Sequence, residues 1–215
     1  MLDYLLNALV TLFVTIDPLG LAPIFVGLTR GLSRLQRQQI AIRATITAAV
    51  ILYAFALAGE GLLGFLGISL AAFRIAGGLM LFWIGFEMVF ERRDQRKLAS
   101  ANKAVEDERA HDPGDVLHLA VFPLAIPLMA GPGAISATIL IAASAPSTLG
   151  MIGLLVIIAA LVGSCLAVFL LAGPLERLLG NTGRIVLTRL LGVLLAALAV
   201  QFVADGITEI VRGMG

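Results

Sequence analysis

The feature that most constrains this chain is a series of long apolar runs with few charged residues. A helix needs about 20 consecutive apolar residues to cross roughly 30 Å of hydrocarbon. Six stretches reach that length, near residues 4–28, 40–61, 70–90, 119–142, 149–172 and 185–205. Charged residues make up 13% of the chain, against about 25% in soluble domains. The sequence therefore predicts an all-α membrane protein with six transmembrane helices and excludes a soluble domain.

The basic residues predict how the chain is oriented in the membrane. In a six-span arrangement, 13 of the 15 Lys and Arg residues lie at the first, third and fifth connections. The side of a membrane protein that is rich in Lys and Arg faces the cytoplasm. We therefore expect these three connections to be cytoplasmic and both termini to lie on the outer face of the inner membrane. The first run has Asp3 where a signal peptide would have basic residues, so we expect it to be retained as a span.

The chain divides into two groups of three spans, at 1–90 and 119–215, separated by a polar connector at 91–118. The connector carries both charge signs and no periodic apolar pattern, so we expect a flexible cytoplasmic loop. Prolines repeat between the groups: Pro18 and Pro23 have counterparts in Pro127 and Pro132, 109 positions later. Since each group has an odd number of spans, the second group must enter the membrane upside down. The sequence predicts two inverted repeats, an architecture of many secondary transporters.

The first span contains a carboxylate near its middle, at Asp17. Pro18 follows it and cannot donate a backbone hydrogen bond to the preceding turn. Aspartate at an N-cap followed by proline marks a helix start, so the span is predicted to break here, with Gly20 and Pro23 adding further distortion. Asp17 either only caps the new half-helix or also lies on a substrate path and accepts a proton.

The fourth span contains the matching interruption, with Pro127 followed by Gly131, Pro132 and Gly133. Because glycine brings no capping side chain, the N–H groups after Pro132 would be available to an anionic ligand such as a carboxylate. Ser136 would add a hydroxyl one turn later. The alternative is a kink that only lets small residues pack closely.

A second group of polar residues is expected near the outer ends of the spans: Glu60, Arg74, Gln201 and Asp205. Arg74 would pair with Glu60 or Asp205 and form an outer gate or proton-coupling site; alternatively, these side chains simply reach interfacial water. Glu87 is expected at the opposite interface.

Enzyme, cofactor and nucleic-acid signatures are missing from the sequence. There is no nucleophile–histidine arrangement, no Walker loop and no cluster with metal-ligand spacing. We therefore predict neither an enzyme nor a bound cofactor or metal. Small residues such as Gly150 and Gly153 would permit contacts between copies of the chain in a homo-oligomer.

Four segments resemble signature sequences of the MarC/SnatA family: DPLGLAPIF at 17–25, AGE at 58–60, FPLAIPLMAGP at 122–132 and QFVADG at 201–206. The resemblance covers all six spans. It implies a small inner-membrane transporter related to the amino-acid exporters of the LysE superfamily. Many family members have asparagine where this chain has Leu21, a difference that would alter substrate preference if that amide contacts substrate.

The resemblance and the breaks together lead to one functional hypothesis. We expect a secondary transporter for small neutral amino acids of the glycine and alanine class, working by alternating access with proton coupling. The substrate would bind between the two breaks, at Asp17, Pro18, Gly20, Leu21, Pro23, Pro127, Gly131, Pro132, Gly133 and Ser136. The rival hypotheses are a membrane scaffold or regulatory subunit, and an exporter or channel for other small solutes.

Overall fold

The computed structural model describes residues 1–111 and 120–213, apart from the side chains at 94, 102, 104–111, 172–182 and 184. This part of the chain is almost entirely helical and contains no strand. Its α-helices are α1 (Leu2–Ile16), α2 (Pro18–Leu28), α3 (Arg34–Phe65), α4 (Leu70–Val89), α5 (Arg92–His111), α6 (Pro132–Ala143), α7 (Thr148–Leu170) and α8 (Ala172–Gly213). A segment that is interrupted by extended backbone at Phe122 and Ile126, Ala120–Met129, precedes α6.

The apolar helices agree with the six predicted spans. In the described residues, five helical stretches are long and apolar enough to cross a membrane, and a sixth consists of Ala120–Met129 and α6, bent by 57° at their junction. Helix α8 begins earlier than the predicted span, but its membrane-length apolar part is Ile185–Gly213. The all-α membrane architecture is confirmed.

Both predicted helix breaks are present. Helices α1 and α2 meet at Asp17, which has a left-handed backbone (φ 58°, ψ 66°). In the second group, Ile126 aligns with Asp17 in the proline repeat and also leaves helical geometry (φ −123°, ψ 125°). The second group then breaks once more before Pro132, whereas the matching Pro23 lies inside α2. The two interruptions are therefore related in sequence but differ in shape.

The broken first span lies at the centre of the bundle. Within the most apolar 18-residue stretch of this span, 67% of the residues are buried. The corresponding share is 22–39% in the four spans that each consist of one uninterrupted stretch of helix. Those four expose large apolar side chains such as Phe65 and Leu79, which suits a surface that faces lipid. The polar groups of the Asp17 break are therefore enclosed by protein, as a membrane-spanning segment requires.

Glycines bring α4 and α8 into close antiparallel contact. A Cβ on Gly85 would lie 2.8 Å from the Gly192 carbonyl oxygen, and one on Gly206 would lie 2.8 Å from the Ala71 carbonyl oxygen. Small residues allow the backbones of neighbouring membrane helices to come close together. In lipid the hydrophobic effect does not drive helices together, so this close packing contributes to their association.

Contacts at the opposite side of the bundle join the first span to the second group. The Tyr4 hydroxyl donates a hydrogen bond to the Ile141 carbonyl, so the start of α1 lies beside the end of α6. Gly150 faces Tyr4 and Gly153 faces Leu5. These two glycines therefore serve packing within one chain. Helices α1 and α6 therefore run antiparallel, as two inverted repeats require. That the two groups of three spans are equivalent repeats stays a prediction.

The connector differs from the loop that its composition suggests. Glu91, with φ 59°, turns the chain after α4, and α5 follows from Arg92 to His111. Helix α5 packs against α2, α4 and Ala120–Met129. Residues 92–111 are therefore helical where a flexible loop was expected, and the rest of the connector, 112–118, lies outside the described residues.

Candidate functional site

The site is built on the break at Asp17. The Asp17 carboxylate is 6% exposed, and its Oδ1 accepts a hydrogen bond of 3.0 Å from the Gly20 N–H, which caps α2. Aspartate tolerates left-handed backbone better than most residues because its short side chain bonds locally. The predicted N-cap is confirmed.

Gly20 is required by this cap. A Cβ at that position would lie 2.2 Å from Asp17 Oδ2, so any larger residue would push the carboxylate away. Gly20 therefore contributes to the site by leaving room for the Asp17 side chain.

The break also leaves backbone carbonyls of α1 without helical partners. The Val14 carbonyl would normally accept from residue 18, but Pro18 has no N–H. Arg93 of α5 supplies the missing donor: its Nη1 donates to the Val14 carbonyl at 3.0 Å, and its Nη2 donates to the Thr15 carbonyl. The cation lies at the negative end of the α1 dipole, where it is favoured.

Lys97 completes the contact between α5 and the break. Its Nζ lies 3.1 Å from Asp17 Oδ2, and the side chains of both partners are less than 10% exposed. A buried carboxylate is costly without a partner, and here it has a backbone N–H on one oxygen and an ammonium on the other.

The second break has no capping side chain. Gly131 is the N-cap of α6 and makes no side-chain cap. A Cβ on Gly131 would lie 2.3 Å from the Pro127 carbonyl oxygen, so the backbone turn before α6 leaves room only for glycine. The first N–H groups of α6 have no acceptor within the helix and give its N-terminus a partial positive charge.

A cavity of about 250 Å³ lies between the two breaks. The second break contributes Pro127, Gly131, Pro132 and Gly133, and α1 contributes Thr15. Helix α5 supplies the polar wall: Arg93, Arg96, Lys97 and Ser100. Pockets for drug-sized ligands begin at about 300 Å³, so this volume suits a smaller solute.

A second carboxylate, that of Glu87, lies beside the charged wall of this cavity. Arg96 Nη2 lies 2.9 Å from Glu87 Oε2, outside hydrogen-bond geometry, so their attraction is that of a close charge pair. Glu87 is 5% exposed, which contradicts the expectation of an interfacial side chain. Among the described residues, the wall carries the cations Arg93, Arg96 and Lys97, and the carboxylates of Glu87 and Asp17 lie beside them.

Only some of the predicted binding residues line the cavity, and the others lie in the surrounding structure. Pro127, Gly131, Pro132 and Gly133 line the cavity, whereas Asp17 reaches it through Lys97. The other predicted residues do not line it: Pro18, Gly20, Leu21, Pro23 and Ser136. Leu21 is fully buried in the hydrophobic core.

Sequence reasoning missed Arg93, Arg96 and Lys97. The signal that could have indicated them was the intramembrane carboxylate of Asp17, because a buried charge of this kind is usually paired with a charge of opposite sign. The i, i+4 spacing of Arg93 and Lys97 places both on one face of a helix.

The group at the opposite side of the bundle differs from its predicted pairing. Arg74 forms its ion pair with Glu209, so the expected pairing with Glu60 or Asp205 is wrong. Gln201 donates to Asp205 at 2.7 Å, one turn apart on α8. Arg74, Asp205 and Glu209 do share an open cavity of about 430 Å³. Glu60 is exposed and does not line that cavity.

The comparison with protein families assigns the chain. Residues 2–211 match the family model described as "MarC family integral membrane protein". The chain belongs to the MarC family. No solved structure matches it.

Relatives in the MarC family cover nearly the whole chain. A UPF0056 membrane protein of Archaeoglobus fulgidus is 38% identical over 209 residues, covering 97% of this chain and 94% of the relative. A UPF0056 membrane protein of Methanocaldococcus jannaschii is also 38% identical, covering 96% of this chain and 97% of the relative. The UPF0056 membrane protein YhcE of Escherichia coli is 36% identical, covering 94% and 91%. These names describe membrane proteins and specify neither a substrate nor an enzymatic activity.

Proposed function

We propose that this MarC family protein is a secondary transporter of small neutral amino acids, such as glycine and alanine, across the inner membrane. The observation that carries the proposal is the 250 Å³ cavity between the bare start of α6 and the end of α1, in a bundle of membrane-length helices. A mid-membrane site between discontinuous helices is the arrangement that secondary transporters use. We further propose that the side carrying α5 is cytoplasmic and that both termini lie outside.

One half of the cavity has the chemistry for a carboxylate. The α6 N-terminus has Gly131 as its cap and Pro132 at its first position, so it presents backbone N–H groups from Gly133 onward. Helix N-termini bind anions through such groups.

The other half has the chemistry for an ammonium group. The carboxylate of Asp17 and the carbonyls of Val14 and Thr15 together form an acceptor cluster at the end of α1. In this structure Lys97 and Arg93 occupy these acceptors. A zwitterion lying across the cavity would satisfy both halves with its two charges, provided that α5 moves.

Uptake of labelled glycine and alanine into liposomes that contain the purified protein tests this function. We expect uptake by the wild type, strong loss in Asp17→Asn, and strong loss in Gly131→Ala because the new Cβ meets the Pro127 carbonyl at 2.3 Å. The matched control is Gly163→Ala in α7, whose Cβ would meet nothing within 4 Å and should leave uptake intact.

Two outcomes would redirect the interpretation. Uptake that is unaffected by both site variants would place the substrate elsewhere in the bundle. Absence of amino-acid uptake under every pH gradient would favour a scaffold or regulatory subunit. If uptake by the wild type rises with an imposed proton gradient, the coupling ion is the proton.

A further inference from the structure

Most of the side chains that α5 is seen to bury in the bundle are charged. Of its side chains that the structure describes, the buried ones are Arg93, Lys97 and Ala101, spaced four residues apart on one face. Its other described side chains are exposed, including Arg92, Leu98 and Lys103. A helix that packs permanently against a core normally presents a continuous apolar stripe, whereas the described part of this buried face consists of two cations and one alanine.

Those two cations lie deep in the protein. Asp17 is separated from the basic end of its span by the 11 residues of α2, about 16 Å of helical rise. Removing an ammonium and a guanidinium from water over such a distance is costly and is offset only by good partners. The partners are present: the Asp17 carboxylate and the Val14 and Thr15 carbonyls.

The same acceptors are those that a primary ammonium or another small cation would need. A substrate ammonium and the Lys97 ammonium have the same charge and the same hydrogen-bonding capacity. Each of these oxygens can accept more than one hydrogen bond, but two cations held side by side at the same oxygens would repel each other and compete for the same space. Binding of one therefore excludes the other at this position.

We infer that α5 is a withdrawable plug, whose Arg93 and Lys97 fill the ammonium half of the cavity and hold it closed from the side of the basic loops until α5 leaves. Occupation by the chain's own cations keeps the break satisfied while the site holds no ligand. The identity of the competing ligand rests on the proposed function, whereas closure by α5 does not.

Thiol labelling in membrane vesicles tests closure without any substrate. Ala134 lines the cavity and is 3% exposed, so Ala134→Cys places a reporter there, in a Cys165→Ala background that removes the chain's one cysteine. A charged, membrane-impermeant maleimide is applied to vesicles of each orientation. With α5 docked, labelling should be slow from both sides.

Removing the two buried cations should open the site. Arg93→Ala/Lys97→Ala removes at least four polar contacts, those with Val14, Thr15, Met88 and Asp17. A single hydrogen bond of a charged group shifts an equilibrium by about 13- to 160-fold, so labelling should accelerate at least about tenfold, and only from the side that carries α5. The matched control, Arg92→Ala/Lys103→Ala, removes two exposed cations from the same helix and should label like the parent. A charge-conserving Arg93→Lys/Lys97→Arg variant should stay slow.

The results separate the two proposals. Equal labelling in the buried and exposed double variants, or acceleration from both sides, would overturn the plug. Glycine or alanine should protect the reporter thiol of Ala134→Cys from the maleimide, with the half-protecting concentration about tenfold lower in Arg93→Ala/Lys97→Ala because competition with α5 is removed. Acceleration without protection by either amino acid would retain the plug and reject the proposed substrate.

Discussion

Gly20→Ala offers a direct test of the geometry at the first helix break. The added Cβ would lie 2.2 Å from Asp17 Oδ2 and 2.7 Å from its Cγ, so the carboxylate must leave the Gly20 N–H and move away from Lys97. Gly27→Ala makes the same change in the same half-helix, where a Cβ would meet nothing within 4 Å. The pair isolates the contact with Asp17 from the general effect of replacing glycine.

The magnitude follows from the contacts that are lost. Loss of an N-cap costs about 1 kcal/mol, and disrupting a buried ion pair costs about 3 kcal/mol. Alanine recovers up to about 1 kcal/mol of helix propensity. We therefore expect Gly20→Ala to lower the free energy of unfolding by about 3 kcal/mol, whereas Gly27→Ala should be neutral or slightly stabilising.

Thermal unfolding in detergent can be followed with the chain's one cysteine. Cys165 is fully buried, so a thiol-reactive dye reports its exposure as the protein unfolds. For a chain of this length 1 kcal/mol corresponds to about 2–4 °C, and the two variants should differ in Tm by about 10 °C. In an Asp17→Ala background the carboxylate is gone, so adding Gly20→Ala should cost little. If Gly20→Ala melts like Gly27→Ala, or is equally destabilising in both backgrounds, the contact with the Asp17 carboxylate is not its cause.

Three further predictions use the same melt or the uptake assay. Leu21→Asn should lower the free energy of unfolding by about 2–4 kcal/mol, because Leu21 is fully buried in the core, yet leave the ratio of glycine to alanine uptake unchanged; a changed ratio would place residue 21 at the substrate. Gly85→Val should cost about 3 kcal/mol because its Cβ would lie 2.8 Å from the Gly192 carbonyl oxygen, and a melt like that of Gly163→Ala would argue against this α4–α8 contact. Arg74→Ala removes a partly exposed ion pair with Glu209 and should cost less than about 1 kcal/mol, so a loss above about 2 kcal/mol would mean that the pair has a larger structural role.

The spans and the breaks could be predicted because their causes are local. An apolar run of membrane length is a property of the run itself. Likewise, the absence of an N–H in Pro18 and the capping ability of Asp17 act within one helical turn. The structure accordingly breaks the first span at Asp17 and begins α6 at Pro132.

The partners of these residues were harder to predict because they are remote in the chain. Arg74 finds Glu209, which lies one turn beyond the expected Asp205 on α8. Several members of the predicted site support the cavity without lining it: Leu21 packs in the core, and Gly20 makes room for the Asp17 cap. Residue type and spacing do not distinguish a lining residue from a supporting one.

By itself, the sequence determined where the membrane helices lie, where they are interrupted and which side carries the positive charge, since each depends on neighbouring residues and on the solvent they prefer. Only the tertiary structure decided that α5 folds back to the break and places Lys97 on Asp17 and Arg93 on the freed carbonyls of α1. The physical reason is that α5 has no apolar periodicity to indicate burial. Its cations become buried only because another part of the chain provides a carboxylate and two carbonyls to receive them.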